Sequence, residues 1–338
     1  MRIPTLDLFS GIGGFSLALN KHCRTIGYCE KDKTCCEILM ANMDKKRIDR
    51  AIIYPDVCSL GAELIVQEKP IAVTMGFPCP DISAAGLHAG IQGPQSRLFF
   101  EAMRIISKLP TVEWVLMENS PFILRRGLDM VEEAFTALGF NLESTIVSAS
   151  DLGAWHQRKR WFGLAWRRQR PPLLRVKRDF WWTSEPVQRM LAYMNFDDGK
   201  RLRLRNERLG NAVVPECVKF AFWILSNRAR NTTVNLPPVK SIDLKLVFDD
   251  GHQEYRKKRW GTPCFSPTLW YVTRLGDRTS CVLTTQLYYE KGSRALVKRL
   301  SKPGYRLTAN PNFVEWLQGY PFDWTLTDKA KATNHHTT

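Results

Sequence analysis

The chain has 338 residues, with 49 Lys or Arg and 33 Asp or Glu, which gives a formal net charge of +16. A hydrophobic content of 44% over this length is ample for a globular core, and the sequence has no long polar low-complexity tract. The excess positive charge favours a polyanionic partner such as nucleic acid and disfavours an acidic one.

The nine cysteines follow neither the spacing of a disulfide framework nor that of a zinc site. Reduced thiols and no bound metal are therefore expected, as in a cytosol-like compartment. Residues 1–8 lead directly into a strand pattern and predict no signal peptide, and the apolar runs are too short to predict a membrane span. The sequence predicts a cytoplasmic protein with no membrane partner, or a nuclear one in a eukaryotic host.

The chain opens with a short apolar strand, 5–9, which the glycine-rich turn 10–14 connects to a helix beginning near Phe15. Glycines let the backbone turn sharply and approach a ligand closely. Their spacing is not G-x-G-x-x-G, so a dinucleotide site, and with it a dehydrogenase, is disfavoured. The turn by itself predicts only a small-molecule site.

Carboxylates close the next two predicted strands, 25–29 and 51–54. Glu30 ends the first and Asp56 follows the second. An acidic residue at the end of the second strand hydrogen-bonds ribose hydroxyls in many α/β folds, so the pair could hold a ribose and an exocyclic amine. The alternative is structural, with Asp32 capping a helix and Asp56 in a turn.

A fourth predicted strand, 71–75, leads into Gly76-Phe77-Pro78-Cys79-Pro80. The prolines restrict the backbone on both sides of Cys79 and present its thiol in one conformation. A cysteine at the carboxyl end of a buried strand is suited to nucleophilic chemistry, provided that a neighbour lowers its pKa or protonates its target. The alternative is a small buried hydrophobic residue.

The fifth predicted strand, 114–117, brings Glu118 and Asn119 to the same edge of the sheet as Cys79. A glutamate that ends an apolar strand suits a proton donor. The alternative is a salt-bridged residue in a loop.

Two arginines precede the last predicted strand of this sheet, 161–165. Arg158 and Arg160 alternate, and side chains two positions apart in an extended segment point the same way. The pattern predicts two positive charges directed at one ligand.

The second half of the chain is more basic and less periodic. A basic and aromatic segment, 167–198, precedes the motif Leu209-Gly210-Asn211-Ala212-Val213 and an apolar helix, 217–225. Residues 231–239 resemble a linker, and 240–327 alternate short strand patterns with turns. This last part predicts a separate small mixed domain.

Taken in order, these segments resemble the DNA (cytosine-5) methyltransferases, particularly the viral and phage-like members. The matching motifs are Asp7-Leu8-Phe9-Ser10-Gly11-Ile12-Gly13-Gly14-Phe15, Glu30-Lys31-Asp32, Asp56-Val57, Gly76-Phe77-Pro78-Cys79, Glu118-Asn119, His156-x-Arg158-x-Arg160 and Leu209-Gly210-Asn211-Ala212-Val213. The resemblance covers residues 1 to about 225. It implies an α/β fold, a Rossmann-like mixed sheet of an S-adenosylmethionine-dependent methyltransferase with helices on both faces, plus a smaller mixed C-terminal domain.

The resemblance also implies domain boundaries and residue roles. The catalytic and cofactor-binding domain would be 1–230, with a linker at 231–239, a target-recognition domain at 240–328 and a disordered tail at 329–338. Cys79 would attack C6 of a flipped-out cytosine while Glu118 protonates N3. Asn119 would support the Glu118 loop, and Arg158 and Arg160 would hold the cytosine O2 and the adjacent backbone. S-adenosylmethionine would contact Phe9, Gly11, Gly14, Glu30, Asp56, Pro78, Leu98 and Asn211.

One segment departs from the order of the family. Residues 306–321 resemble the segment that normally precedes the Gly210-Asn211 motif, yet here they follow it by about ninety residues. This favours target recognition by 240–327. The alternative is that 167–198 is a reduced recognition element and the C-terminal part is a remnant.

The leading function is therefore methylation of C5 of cytosine in double-stranded DNA, in a restriction system or a virus. A cognate restriction endonuclease is a possible partner, and a monomer is expected. A tRNA cytosine-C5 methyltransferase and a catalytically inactive DNA-binding homologue are the alternatives. The basic C-terminal part favours DNA, and the joint presence of Cys79, Glu118, Arg158 and Arg160 favours activity.

Overall fold

The computed structural model divides into two compact units, which are described separately. The first comprises Met1–Ser148, Lys159–Lys177 and Pro215–Pro237, and the second comprises Ala149–Arg158, Arg178–Val214 and Pro238–Thr338. The residues that the structure describes are 1–61, 69–78, 98–154, 156, 158–173, 187–190, 194–197, 200–232, 244–248, 253–256, 306–309 and 311–327.

The first unit is built on a seven-stranded mixed sheet. Its strands are β1 Ile3–Leu8, β2 Cys23–Cys29, β3 Ile52–Tyr54, β4 Ala72–Met75, β5 Trp114–Asn119, β6 Asn141–Ser148 and β7 Lys159–Trp166. The order across the sheet is β3-β2-β1-β4-β5-β7-β6. The first five strands are parallel, whereas β7 runs antiparallel to both β5 and β6. The predicted mixed α/β sheet is confirmed.

Helices cover both faces of this sheet. The described helices of the chain are α1 Gly14–Leu19, α2 Lys33–Asp44, α3 Leu98–Ser107, α4 Ile123–Arg126, α5 Leu128–Ala137, α6 Lys200–Asn211, α7 Pro215–Arg228 and α8 Pro311–Leu317. On one face, Phe99 of α3 packs 5.1 Å from the ring of Phe77 and 6.3 Å from Phe135 of α5. On the other, Trp114 of β5 lies 4.9 Å from Phe222 of α7. Side chains alternate across a strand, so β5 contributes to both layers.

The second unit joins the middle of the chain to its C-terminal part. Its strands are β8 Val187–Met190, β9 Met194–Asp197, β10 Leu244–Phe248, β11 Gln253–Arg256 and β12 Arg306–Ala309. β10 pairs with β11 and β8, and β12 pairs with β9. The two segments offered above as alternative recognition elements, 167–198 and 240–327, thus supply strands to the same small sheets. The predicted boundaries at 231–239 and 328 stay predictions.

One helical stretch in the described part of the chain, Leu204–Arg228, has the length and hydropathy to cross a membrane. The expectation that every apolar run is too short is therefore wrong by this measure. The most apolar window of the stretch is 67% buried inside the protein, and a buried core helix meets the same criterion. The stretch is weak support for a membrane span.

Replacing Phe135 by Ala should destabilise the first unit. The side chain is fully buried and also contacts Phe140, with 5.6 Å between the ring centroids. Such a truncation leaves a cavity and lowers the free energy of unfolding by about 3–5 kcal/mol. Phe122, which is 39% exposed, provides the matched control, and Phe122→Ala should cost less than about 1 kcal/mol. Urea denaturation measures both, and equal losses would contradict this description of the core.

Candidate active site

The carboxyl ends of the five parallel strands lie side by side at one edge of the sheet. Strand pairing places Leu8 beside Cys29 and Met75, Cys29 beside Tyr54, and Met75 beside Met117. The residues that follow each strand at this line therefore emerge at a common edge, where open α/β sheets bind ligands. The predicted site residues that follow Leu8, Cys29, Tyr54, Met75 or Met117 by one to three positions are Phe9, Gly11, Glu30, Asp56, Pro78, Glu118 and Asn119.

The turn after β1 is held in an unusual backbone conformation. Phe9, Gly11 and Gly13 all have positive φ, at 55°, 53° and 84°. The hydroxyl of Ser10 donates to the carbonyl of Asp7 at 2.7 Å and closes the turn. Positive φ is rare for a residue other than glycine, and such strain persists where the surrounding structure enforces it, often at binding sites. A Cβ added at Gly11 would meet no described atom within 4 Å, so a ligand can approach the backbone there.

Glu30 connects the end of β2 to this turn. Its Oε2 accepts from the backbone N–H of Gly11 at 2.7 Å, and its Oε1 accepts from the backbone N–H of Asp32 at 2.7 Å. Burial raises the pKa of Glu30, while these N–H donors oppose the rise. Asp32 also caps α2 by accepting from Cys35 N at 2.9 Å, so the structural role considered above for Asp32 is confirmed. The Glu30 carboxylate thus fixes the backbone of the predicted cofactor turn.

The remaining predicted cofactor residues differ in their contacts and exposure. Asp56 pairs with Lys31 at 3.0 Å and accepts from Cys58 N at 3.0 Å, which lower its pKa. Gly14 is buried at the start of α1, Pro78 is half-buried beyond β4, and Leu98 is half-buried at the start of α3. Asn211 is exposed and belongs to the second unit.

Glu118 and Arg160 form an ion pair at this edge. The distance from Arg160 Nε to Glu118 Oε1 is 2.9 Å, and Glu118 is 8% exposed. The pair lies out of hydrogen-bond alignment, and Oε1 accepts no aligned hydrogen bond from the described residues. That oxygen is buried, and its charged neighbour is Arg160. The salt-bridged alternative for Glu118 is therefore correct for this contact, while its role toward a ligand stays a prediction.

Asn119 links the ends of β5 and β4. Its Nδ2 donates to the carbonyl of Phe77 at 3.3 Å, and its Oδ1 accepts from Ser120 N at 2.6 Å. Phe77 lies two positions before Cys79. The amide therefore ties the segment that leads to Cys79 to the strand that carries Glu118.

Arg158 has different partners from Arg160. Its side chain is 2% exposed, and Nη1 donates to the carbonyl of Gly210 at 2.8 Å within the second unit. Its backbone N–H donates to His156 Nδ1 at 3.2 Å. The two arginines were expected to point toward one ligand, whereas the structure shows Arg160 beside Glu118 and Arg158 on a backbone carbonyl. The ligand contact predicted for Arg158 stays a prediction.

Cys79 and Pro80 lie outside the described residues. Several other cysteines are unsuited to nucleophilic chemistry because burial stabilises their neutral thiols. Desolvation raises the pKa of Cys23 to about 11, of Cys29 to about 12 and of Cys36 to about 11. The thiolate is the nucleophilic form, so these side chains are expected to be inert at neutral pH.

The sequence model for the family of C-5 cytosine-specific DNA methylases matches residues 3–192. This is more than half of the chain, and the chain belongs to that family.

Known relatives match about half to two thirds of the chain. The type II methyltransferase M.CviJI of Paramecium bursaria Chlorella virus IL3A is 28% identical over 228 residues, which cover 66% of this chain and 59% of the relative. The type II methyltransferase M2.BsuMI of Bacillus subtilis is 31% identical over 182 residues, which cover 51% and 41%. The chain thus spans about half the length of these curated relatives. The solved S. pombe Dnmt2 methyltransferase is 23% identical over 51% of this chain and 53% of that chain, with a TM-score of 0.42.

Sequence reasoning did not single out Asp7, a buried carboxyl just before the glycine-rich turn. Asp7 is 1% exposed, and Thr74 donates to its Oδ1 at 2.6 Å. Burial raises its pKa from 3.8 to about 7, and the nearby charge of Glu30 adds to the rise. The signal in the sequence was a carboxylate that lies between two leucines of the first predicted strand.

Asp7→Asn should reduce the loss of stability that accompanies rising pH. Between pH 4 and 7 the folded protein keeps a proton on Asp7 that the unfolded chain releases, so the free energy of unfolding falls by up to about 1.4 kcal/mol per pH unit and levels off above pH 7. The variant lacks this contribution. Urea midpoints at pH 5 and 8 measure it, and identical pH slopes for both proteins would contradict the assignment.

Proposed function

We propose that the protein methylates C5 of cytosine in double-stranded DNA, with S-adenosylmethionine as the methyl donor. The single observation that carries the proposal is the Glu118–Arg160 ion pair at the carboxyl end of β5, the strand that pairs with β4. Membership of the C-5 cytosine-specific DNA methylase family supports the same chemistry. The chain spans only part of its relatives, so substrate and partners are part of this proposal.

The proposed reaction begins with the thiolate of Cys79, which forms a bond to C6 of the cytosine. Glu118 gives a proton to N3 as the C5–C6 double bond opens, and C5 becomes nucleophilic. S-adenosylmethionine, when bound, supplies the methyl group for C5. A base then removes the C5 proton, the C5–C6 double bond re-forms as the Cys79 thiolate leaves, and N3 returns its proton to Glu118. Because C5 and C6 are inaccessible in a stacked duplex, the base must be flipped out.

Arg160 has an electrostatic role in this proposal. Its guanidinium lies beside Glu118 and also donates from Nη1 to the carbonyl of Lys159 at 2.8 Å, which holds the side chain in place. A fixed positive charge stabilises the negative charge that develops on the exocyclic carbonyl oxygen O2 during attack. Glu118 would meet N3 through its carboxyl group, a role that is taken from the resemblance.

The residues at the glycine-rich turn fit S-adenosylmethionine by their chemistry. The open space at Gly11 admits a ligand next to the backbone, and the anchored Glu30 carboxylate is an acceptor for ribose hydroxyls. Phe9 would pack on the adenine and Asp56 would accept from its amine. Gly14, Pro78 and Leu98 would complete the wall, with the role of each taken from the resemblance, which also assigns Asn211 a contact with the cofactor.

The biological setting is part of the same proposal. The net charge of +16 suits a duplex DNA partner, whose phosphates attract Lys and Arg. A monomer that acts inside a cell, alone or with a cognate restriction endonuclease, is consistent with this function. The paired strands within 187–197 and 244–309 belong to the second unit, and this unit is the candidate for target recognition.

Incubation of the full chain with tritiated S-adenosylmethionine should label duplex DNA. Cys79→Ala should transfer no label, because the nucleophile is absent. Glu118→Gln should lower kcat by about 100-fold, because proton transfer is lost. Glu113→Gln provides a matched control, since Glu113 also pairs with an arginine, Arg168 at 2.8 Å, and lies just before the opposite end of β5. Its activity should stay within about twofold.

Three other outcomes would contradict parts of the proposal. Label in tRNA alone would replace the DNA substrate. Absence of transfer to either nucleic acid, with DNA binding retained, would identify a catalytically inactive binding protein. Equal losses for Glu118→Gln and Glu113→Gln would remove the specific role of Glu118.

A further inference from the structure

Helix α6 of the second unit ends in a turn that is held by side chains distant in sequence. The last carbonyls of a helix have no partner within it and must be satisfied from outside. Here Gln318 Nε2 donates to the carbonyl of Leu209 at 2.6 Å, across 109 positions of sequence. The hydroxyl of Tyr320 donates to the carbonyl of Val213 at 2.8 Å. Both donors follow α8, and both are buried.

The carbonyl between these two is held as well. Arg158 Nη1 donates to Gly210 O at 2.8 Å, and a positive charge at the C-terminal end of a helix is electrostatically favourable. Side-chain donors therefore fix three carbonyls within five consecutive residues. Asn211, in the middle of this turn, is itself exposed. A rigid backbone that presents an exposed amide is suited to ligand contact.

A buried ion pair docks α8 against α6. Glu315 is fully buried, and its Oε1 accepts from Thr325 N at 2.7 Å and lies 3.0 Å from Arg205 Nη2. Arg205 Nε also donates to Thr325 Oγ1 at 2.7 Å. Loss of one partner would leave a buried charge uncompensated, so the pair fixes which side of α8 faces α6. Tyr320 and Trp324, with ring centroids 5.5 Å apart, add apolar packing.

We propose that the C-terminal segment 311–327 is a positioning element for cofactor binding, which fixes the backbone around Asn211 through Gln318 and Tyr320. This inference rests on the proposed function, from which it takes the contact of Asn211 with S-adenosylmethionine. The inference assigns this segment a role in cofactor binding that is distinct from target recognition. Deletion of the whole C-terminal part would remove the contacts that hold the backbone around Asn211 together with any DNA contacts. Point substitutions are therefore needed to distinguish an effect on cofactor binding from an effect on DNA binding.

The test uses Gln318→Met and Tyr320→Phe in the full chain, each of which removes one donor and little volume. The Kd for S-adenosylmethionine should rise about tenfold, the scale of one lost hydrogen bond, because the turn becomes mobile. The kcat at saturating cofactor and the Kd for duplex DNA should stay within about twofold. Tyr28→Phe is the matched control. It removes a buried hydroxyl that donates to Asp49 O at 3.0 Å in the first unit, and the cofactor Kd should not change.

Hydrogen exchange of residues 209–213 gives a second readout that does not depend on activity. Their amides should exchange faster in both variants and at the wild-type rate in Tyr28→Phe. Unchanged exchange and cofactor affinity, or weaker DNA binding with unchanged cofactor affinity, would overturn the inference while the proposed function stands. A wild-type protein that binds no S-adenosylmethionine would overturn both.

Discussion

Register in the parallel part of the sheet is the constraint on which the candidate site depends. Cys29 of β2, Leu8 of β1, Met75 of β4 and Met117 of β5 lie in one line across the sheet, and neighbouring strands are about 4.8 Å apart. Residues that are distant in sequence therefore leave the sheet at one edge. A one-residue slip of any strand would move each of its side chains to the other face of the sheet and shift its contribution along this edge.

The antiparallel strand β7 completes this arrangement. A parallel strand brings its carboxyl end to the site edge, whereas an antiparallel strand brings its amino end. Arg160, near the start of β7, can therefore meet Glu118, near the end of β5, and pairing of Glu118 with Phe162 sets their spacing. A single reversed strand thus adds a cation to an edge that is otherwise formed by glycines and carboxylates.

The sequence predicted the strands of the first unit closely because each is a short apolar run bounded by turn residues. The strand predicted at 161–165 lies within Lys159–Trp166, and the one predicted at 114–117 extends to Asn119. Helix α6 was not predicted, since eight of its twelve residues are charged or polar and its apolar spacing is weak. Its stability depends on Arg205 and Glu315, a pair that local periodicity cannot reveal.

Local sequence patterns also did not reveal the long-range contacts at the site. The motifs placed Glu118 and Arg160 at one edge, but the partner of Arg158 depends on a turn fifty-two positions away. Pairing of β8 with β10 and of β9 with β12 joins segments that composition separated into rival recognition elements. Nonlocal strand pairing of this kind is set by tertiary packing rather than by local propensity.

The most direct test of the account is covalent trapping on duplex DNA that contains 5-fluorocytosine. After methyl transfer the fluorine cannot leave as a proton does, so the bond between Cys79 and C6 should persist. Denaturing electrophoresis should show an adduct that requires S-adenosylmethionine, and peptide mass analysis should locate it at Cys79. Absence of the adduct under conditions in which the protein binds both DNA and cofactor, or an adduct at another cysteine, would contradict the account.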